Sequence, residues 1–306
     1  VSASVTTVFE VGPYEHGVAA LLNSLVRNGF DGRFWCGVRG PVPRWLMPEE
    51  VKRRVGDQIE VRAVSIDPDR HLALYKAHFM SWVAREEPDA TSVMYFDPDI
   101  VVKCEWGFVD RWAARGIAAV VDMLPSMPAS SPIRAEWMEL CDRLGIKLRE
   151  TDAKLDYYCN AGFVGVSREC WGFIDLWSEI VDVALAARRS PTDKVVPRPG
   201  GTMGDQDTYN IALMAWAEKV CIMGMEASDL IPGQVFSHAN TGLVKPWHGH
   251  FARRALMGRP PGRPDRQYLL YRDGPFDPPG RWRMRSQFLS YKAGRAIGTV
   301  LQRPES

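Results

Sequence analysis

The sequence predicts an α/β protein with a largely parallel sheet flanked by helices and a basic C-terminal extension. Three observations carry that prediction. Strand-like runs rich in Val, Thr, Ile and Phe alternate with helix-spaced segments over the first hundred residues, which is the signature of βαβ units. Of the 306 residues, 46% are hydrophobic and 25% charged, which excludes a disordered, collagen-like or coiled-coil chain. The length permits a large core and favours one large α/β domain, or one domain plus an appendage, over two equal domains.

The elements follow in order. Val5 to Phe9 reads as a first strand, running straight from the N-terminus, with no basic region of a signal peptide before it. Val18 to Arg27 has helical spacing and ends at Asn28-Gly29. Gly32 to Val38 is a second strand, Pro48-Glu49-Glu50 opens a short helix, and Ile59 to Ile66 is a third strand. Leu72 to Arg85 reads as one helix and Ser92 to Phe96 as a buried strand. Ile117 to Val121 is a further strand, and Asp156 to Val166 reads as strand–turn–strand around Asn160-Ala161-Gly162. Trp171 to Ala187 and Asp205 to Glu218 are helical, joined by a Pro/Gly loop at 189–204 that is suited to closing over a ligand. Residues 258–280 read as an irregular linker. Arg281 to Gln302 reads as a basic helix with Phe288, Leu289, Tyr291, Ile297, Val300 and Leu301 available for an apolar face.

Charge is unevenly placed. Residues 251–306 hold 12 Lys/Arg and 4 Asp/Glu, whereas the whole chain carries a formal charge of only +1. A near-neutral total and no reader motif argue against nucleic-acid binding. The basic tail allows three readings: packing on the acidic body, holding an anionic acceptor, or lying peripherally on an anionic membrane. The six cysteines form no C-x-x-C pair, so a zinc cluster or disulfide framework is not expected and a reducing cytoplasm fits best. No stretch is long and apolar enough for a transmembrane helix.

In a parallel sheet, ligands bind beyond the carboxyl ends of the strands. There the buried strand Tyr95-Phe96 ends in Asp97-Pro98-Asp99. Two carboxylates two residues apart repel each other unless a cation lies between them, and a hard divalent ion with phosphate oxygens is the natural partner. A surface Asp-Pro turn is the plainer alternative. Asp67-Pro68-Asp69 is a second such pair, but Arg70 and His71 follow it rather than an apolar run. Asn160-Ala161-Gly162 suits close backbone approach to a ligand, or a strand bulge. Asp205-Gln206-Asp207 opens a helix, either as first-turn acids or as polar groups at a site mouth. Three histidines, His238, His248 and His250, surround Lys245-Pro246-Trp247.

Together these motifs resemble, in order and spacing over roughly residues 3–250, the GT-A fold glycosyltransferases, and most of all the retaining family 8 (the glycogenin- and galactosyltransferase-like enzymes). The resemblance implies a mixed, mainly parallel GT-A sheet with a catalytic domain over residues 1–255 and a basic extension over 256–306. It implies Mn²⁺ or Mg²⁺ on Asp97, Asp99 and His238, with His248 or His250 as substitutes because His238 lies one residue further from Lys245 than the family's spacing. It implies a nucleotide-sugar donor, a UDP-hexose, held by Thr7, Phe9, Lys76, Asn160, Ala161, Gly162 and Lys245. Asp205, Gln206 and Asp207 would stand near the anomeric carbon. For Lys76, a solvated helix lysine is the plainer alternative. The acceptor is an unidentified hydroxyl on a glycan, a lipid-linked sugar or a small molecule. Two other functions remain open: a sugar-phosphate nucleotidyltransferase, which would want a Gly-rich basic loop where Val11 to Gly17 stands, and a non-catalytic sugar-nucleotide-binding scaffold.

Overall fold

A computed structural model describes residues 3–122, 127–128, 130–143, 145, 156–186, 196–198, 201–216, 219–239, 244–277 and 281–301. The chain opens with β1 (Ser4–Glu10), α1 (Glu15–Arg27), β2 (Arg33–Arg39), α2 (Pro48–Val55) and β3 (Glu60–Ile66). It continues through α3 (Lys76–Glu86), β4 (Ser92–Phe96), β5 (Ile100–Val102), α4 (Trp106–Ala113), β6 (Ile117–Val121), α5 (Pro132–Arg143) and β7 (Cys159–Ser167). The last third comprises α6 (Gly172–Leu185), a ribbon of β8 (Val196–Arg198) and β9 (Gly201–Met203), α7 (Asp205–Trp216), β10 (Val220–Met223) and β11 (Phe236–His238). Three helices close it: α8 (Phe251–Leu256), α9 (Arg263–Arg272) and α10 (Arg281–Leu301).

The main sheet has seven strands in the order β10-β6-β7-β4-β1-β2-β3. All neighbours are parallel except β7, which runs antiparallel to both β4 and β6. The sheet is therefore mixed and mainly parallel. One face packs on α3, α6 and α7 through Phe79, Trp177 and Tyr209, and the other on α1 and α4 through Leu21, Leu25 and Trp112. A small antiparallel pair, β5 with β11, lies beyond the carboxyl end of β4.

Four expectations change. Asn160-Ala161-Gly162 makes no turn: β7 is one continuous strand with all nine residues buried, because a strand covered on both faces reads as a small, apolar run without alternation. The helix expected from Leu72 begins as a 3-10 turn, Leu72–Tyr75, and turns α only at Lys76. The 258–280 linker contains α9, which is opened by Pro264 in its first turn and by the Asp265 carboxylate accepting from the Gly262 N–H at 2.9 Å, a cap that was legible in Gly-Arg-Pro-Asp.

The face that α10 buries is the fourth change. Phe288, Leu289, Val300 and Leu301 stay exposed, at 46%, 69%, 69% and 58%. Of the expected face Tyr291 packs on the Phe251 ring, and Gln287, Gly294 and Gly298 go inward beside it. A Cβ on Gly294 would stand 2.7 Å from the Phe251 carbonyl oxygen, and one on Gly298 2.5 Å from Pro260, so close helix approach rather than apolar area selects this face. The extension is tied to the body by Asn23 of α1, which donates to the Phe276 carbonyl at 2.9 Å and accepts from the Phe276 N–H at 2.8 Å.

Candidate active site

The charged side chains gather at the turn after β4. Asp97 N–H donates to the Gly162 carbonyl at 2.7 Å, Ile100 N–H closes the turn onto the Asp97 carbonyl at 3.0 Å, and Ala239 N–H donates to the Asp99 carbonyl at 3.0 Å. Pro98 takes the second turn position, which its fixed φ suits. β11 pairs with β5 so that His238 stands opposite Ile100. One ligand atom each from Asp97, Asp99 and His238 falls within 4.8 Å of the others, the one such cluster among the described residues. His238 Nε2 lies 3.3 Å from Asp99 Oδ1 and 3.9 Å from Asp97 Oδ2, while its Nδ1 is buried without a hydrogen bond. Gly162 is required by space: a Cβ there would sit 2.3 Å from His238 Cε1.

Two lysines face these acids. Lys76, 3% exposed, is no solvated helix lysine. Its ammonium lies 2.9 Å from Asp97 Oδ1 and 2.8 Å from Asp205 Oδ2, donates to the Ala161 carbonyl at 3.1 Å and stands over the Tyr95 ring. Burial by itself would lower its pKa, but Asp205 and Asp97 outweigh burial and raise it. Lys245 pairs with Asp99 Oδ2 and donates to the Ala239 carbonyl at 3.0 Å. Burial pushes the Asp99 carboxyl up, yet His238 and Lys245 prevail and hold it well below the carboxylate range. Asp97 is held above that range by its burial and by Asp99 and Asp205, against Lys76.

A layer of amides lies behind. Asp122 Oδ2 accepts from Asn160 Nδ2 at 2.8 Å and from Gln206 Nε2 at 2.7 Å, and Gln206 Oε1 accepts from the Ala161 N–H at 3.3 Å. Asn160 Oδ1 in turn accepts from the Gly162 N–H at 2.9 Å. Asp207 is turned to structural work, capping α7 through the Gly204 N–H at 2.8 Å and accepting from Tyr158 Oη at 3.0 Å. Asn210 clasps Cys159 through both its N–H and its carbonyl, each at 2.7 Å, fixing α7 to β7.

These groups border a cleft of about 210 Å³ whose lining includes Phe9, Tyr14, Arg39, His71, Lys76, Asp97, Asp99, Asp205 and Lys245. Thr7 is fully buried in β1 and outside that lining. Asp67 is exposed at the end of the edge strand β3, and Asp69 pairs with Arg70, so the second Asp-x-Asp lies away from the metal-type cluster. His248 and His250 are exposed and are not among the residues that the cluster brings together. Part of the mobile-loop expectation at 189–204 lies outside the described residues.

Asp122, Tyr14, Arg39 and His71 were not singled out from the sequence. Asp122 had a signal, since it follows the carboxyl end of a strand. Arg39 likewise ends β2, and it holds the 68–70 turn through the Arg70 carbonyl at 2.5 Å. The two carboxylates and one imidazole suit a hard divalent cation such as Mn²⁺ or Mg²⁺, and the unbonded inward face of His238 has space for the ring only because Gly162 lacks a side chain.

No protein-family profile matches the sequence, and no curated protein is similar enough to match it. Solved structures do match. The chain superposes on the galactosyltransferase LgtC, solved with donor and acceptor sugar analogs, with a TM-score of 0.56 and 16% identity, covering 93% of this chain and 99% of that one. It superposes on the glycosyltransferase GlyE of Streptococcus pneumoniae TIGR4 at TM-score 0.54 and 13% identity, covering 94% of this chain. The bifunctional glycosyltransferase WbbM matches at TM-score 0.55 and 16% identity over 95% of this chain. This chain spans 64% of GlyE and 51% of WbbM. The strand order, the antiparallel β7 and these superpositions together show that the chain has the GT-A fold of solved glycosyltransferases.

Proposed function

We propose that the protein is a metal-dependent glycosyltransferase that moves a hexose from a UDP-sugar to a hydroxyl acceptor with retention of configuration. The observation that carries this reading is the Asp97–Asp99–His238 cluster, set at the mouth of a cleft on a GT-A sheet and flanked by two lysines. A bound Mn²⁺ or Mg²⁺ would supply Lewis-acid stabilisation of a departing diphosphate. Lys245, partly exposed at the cleft, would meet the same developing charge. Lys76 ties Asp205 to the metal-side acid, so that carboxylate stands fixed where positive character would develop at the anomeric carbon. Gln206, locked by Asp122 and Ala161, presents a polar edge beside it, and Asn160 and Gly162 shape the wall. Phe9 and Tyr14 give the cleft an apolar side.

Asp205 is already engaged by Lys76, which supports front-face attack over an enzyme base. The acceptor is a hydroxyl of a glycan, lipid-linked sugar or small molecule. The six cysteines form no C-x-x-C pair, which favours a reducing cytoplasm, and no helix among the described residues is long and apolar enough to cross a membrane.

Calorimetric titration with UDP and with GDP, each with Mn²⁺ and with EDTA, tests the proposal. UDP binding that needs Mn²⁺ and vanishes in Asp97→Ala and Asp99→Ala is the expected result. Preference for GDP would move the donor but keep the class, whereas binding of neither nucleotide would leave a non-catalytic scaffold as the better account.

A further inference from the structure

The C-terminal extension carries a second built feature, remote in kind from the donor cleft. Between the start of α9 and the middle of α10 lies an open cleft of about 260 Å³, lined by Gly262, Arg263, Arg266, Tyr291 and Arg295. Its three arginines are exposed, and none makes a side-chain ion pair or hydrogen bond among the described residues. Elsewhere in the extension arginines do find acids or amides: Arg254 holds Asp265 at 3.0 Å, and Arg272 is buried against Gln287. Three guanidiniums converging without a counter-charge repel one another, and in water they are relieved only by an anion that can take several N–H donors at once, as a phosphate does.

The neighbouring surface narrows the source of that phosphate. On α10 the residues Leu289, Ala293, Ala296 and Val300 fall at helical spacing along one exposed stripe, beside a second stripe of Arg285, Lys292 and Arg295. At the end of α8, Leu256 and Met257 are 68% and 61% exposed. An apolar stripe next to a cationic one, on a helix whose opposite face is fixed to the body, is the arrangement that lies in a membrane interface.

We infer that the α8–α10 extension docks the protein on an anionic phospholipid surface, with the Arg263–Arg266–Arg295 cleft seating a headgroup phosphate and the Leu289–Val300 stripe entering the acyl boundary. The inference stands apart from the reaction proposed for the donor cleft.

Co-sedimentation of the full chain with phosphatidylcholine vesicles, and with vesicles that also contain phosphatidylglycerol, reads it directly. Binding is expected only to the second kind, and to fall as salt rises. An arginine near an anionic surface contributes about fivefold in affinity, so Arg263→Gln/Arg266→Gln/Arg295→Gln should weaken binding about a hundredfold. Leu289→Asp/Val300→Asp should weaken it without changing the charge of the cleft. All five side chains are exposed, so thermal melting and UDP titration should match wild type, which separates loss of docking from loss of fold or of donor binding. Equal sedimentation with both vesicle types, or a triple-arginine variant that binds like wild type, overturns the inference. So does binding of free inorganic phosphate at the cleft without any association with vesicles.

Discussion

Replacing Lys76 by Met is the sharpest test of how the site is held together. The ammonium contacts Asp97 and Asp205 at 2.9 and 2.8 Å, and at an effective dielectric of about 20 each contact is worth roughly 6 kcal/mol of attraction. Desolvating the lysine offsets much of that, so the net worth of the bridge is modest, but truncating it takes from two partly buried carboxylates the cation that they share. Loss of one partner from such a pair destabilises by about 3–5 kcal/mol, which is the cost expected of Lys76→Met. For a chain of this size that is a fall of roughly 5–8 °C in Tm.

The pH dependence fixes the cause. In wild type the raised Lys76 pKa keeps the bridge intact through neutral pH, and its stability is lost only as strong base titrates the ammonium. In Lys76→Met the Asp97 carboxyl, already raised by burial and by Asp99 and Asp205, rises further, which withdraws stability at neutral pH and returns it as pH falls. The deficit relative to wild type should therefore shrink between pH 7 and about pH 4. Denaturant unfolding of both proteins across that range is the assay. A variant as stable as wild type at pH 7, or a deficit that does not change with acid, would refute the electrostatic argument.

Three further outcomes follow from the geometry. Gly162→Ala should displace His238 and strain β7, lowering stability by about 1–3 kcal/mol by overpacking and weakening Mn²⁺-dependent UDP binding in calorimetry, whereas Gly165→Ala, whose Cβ contacts start at 3.1 Å, should leave that binding intact. Asp122→Ala should free Gln206 and Asn160 and reduce kcat by about 10²-fold while KM for the donor changes little; an equal loss in KM would show that Asp122 serves binding instead. Asn23→Ala removes two short hydrogen bonds to Phe276 in a buried position and should lower stability by about 1–3 kcal/mol, with limited proteolysis cutting the C-terminal extension first.

The sheet was legible because its strands and helices each satisfy a local rule: Asn28-Gly29 stops α1, Pro48 starts α2, and β1 to β4 are short runs of β-branched, aromatic and other apolar residues between them. The Asp97-Pro98-Asp99 turn was legible because apolar strands flank it on both sides. β7 was misread because Asn-Ala-Gly carries turn chemistry, whereas here glycine answers to the imidazole of a strand distant in sequence. The inward face of α10 was misread for the same kind of reason: Gly294 and Gly298 are chosen by Phe251 and Pro260, and no periodicity within the helix announces that. Lys76 illustrates the limit most plainly. One residue of a helix start shows nothing of the two acids, one 21 and the other 129 positions along the chain, that its ammonium bridges.

The pairing of β11 with β5 also has a temporal side. Lys245 and Asp99 are 146 positions apart, and His238 arrives on the same late segment. A ribosome delivers roughly 5–20 residues per second, and β1 to β7 emerge well before Phe236. Until that segment emerges neither His238 nor Lys245 is available to Asp97 and Asp99, and of the two site lysines only Lys76, which bridges Asp97 and Asp205, has been made. Only with the last short strand and Lys245 in place are both acids answered, and that step turns an unfinished sheet into a site.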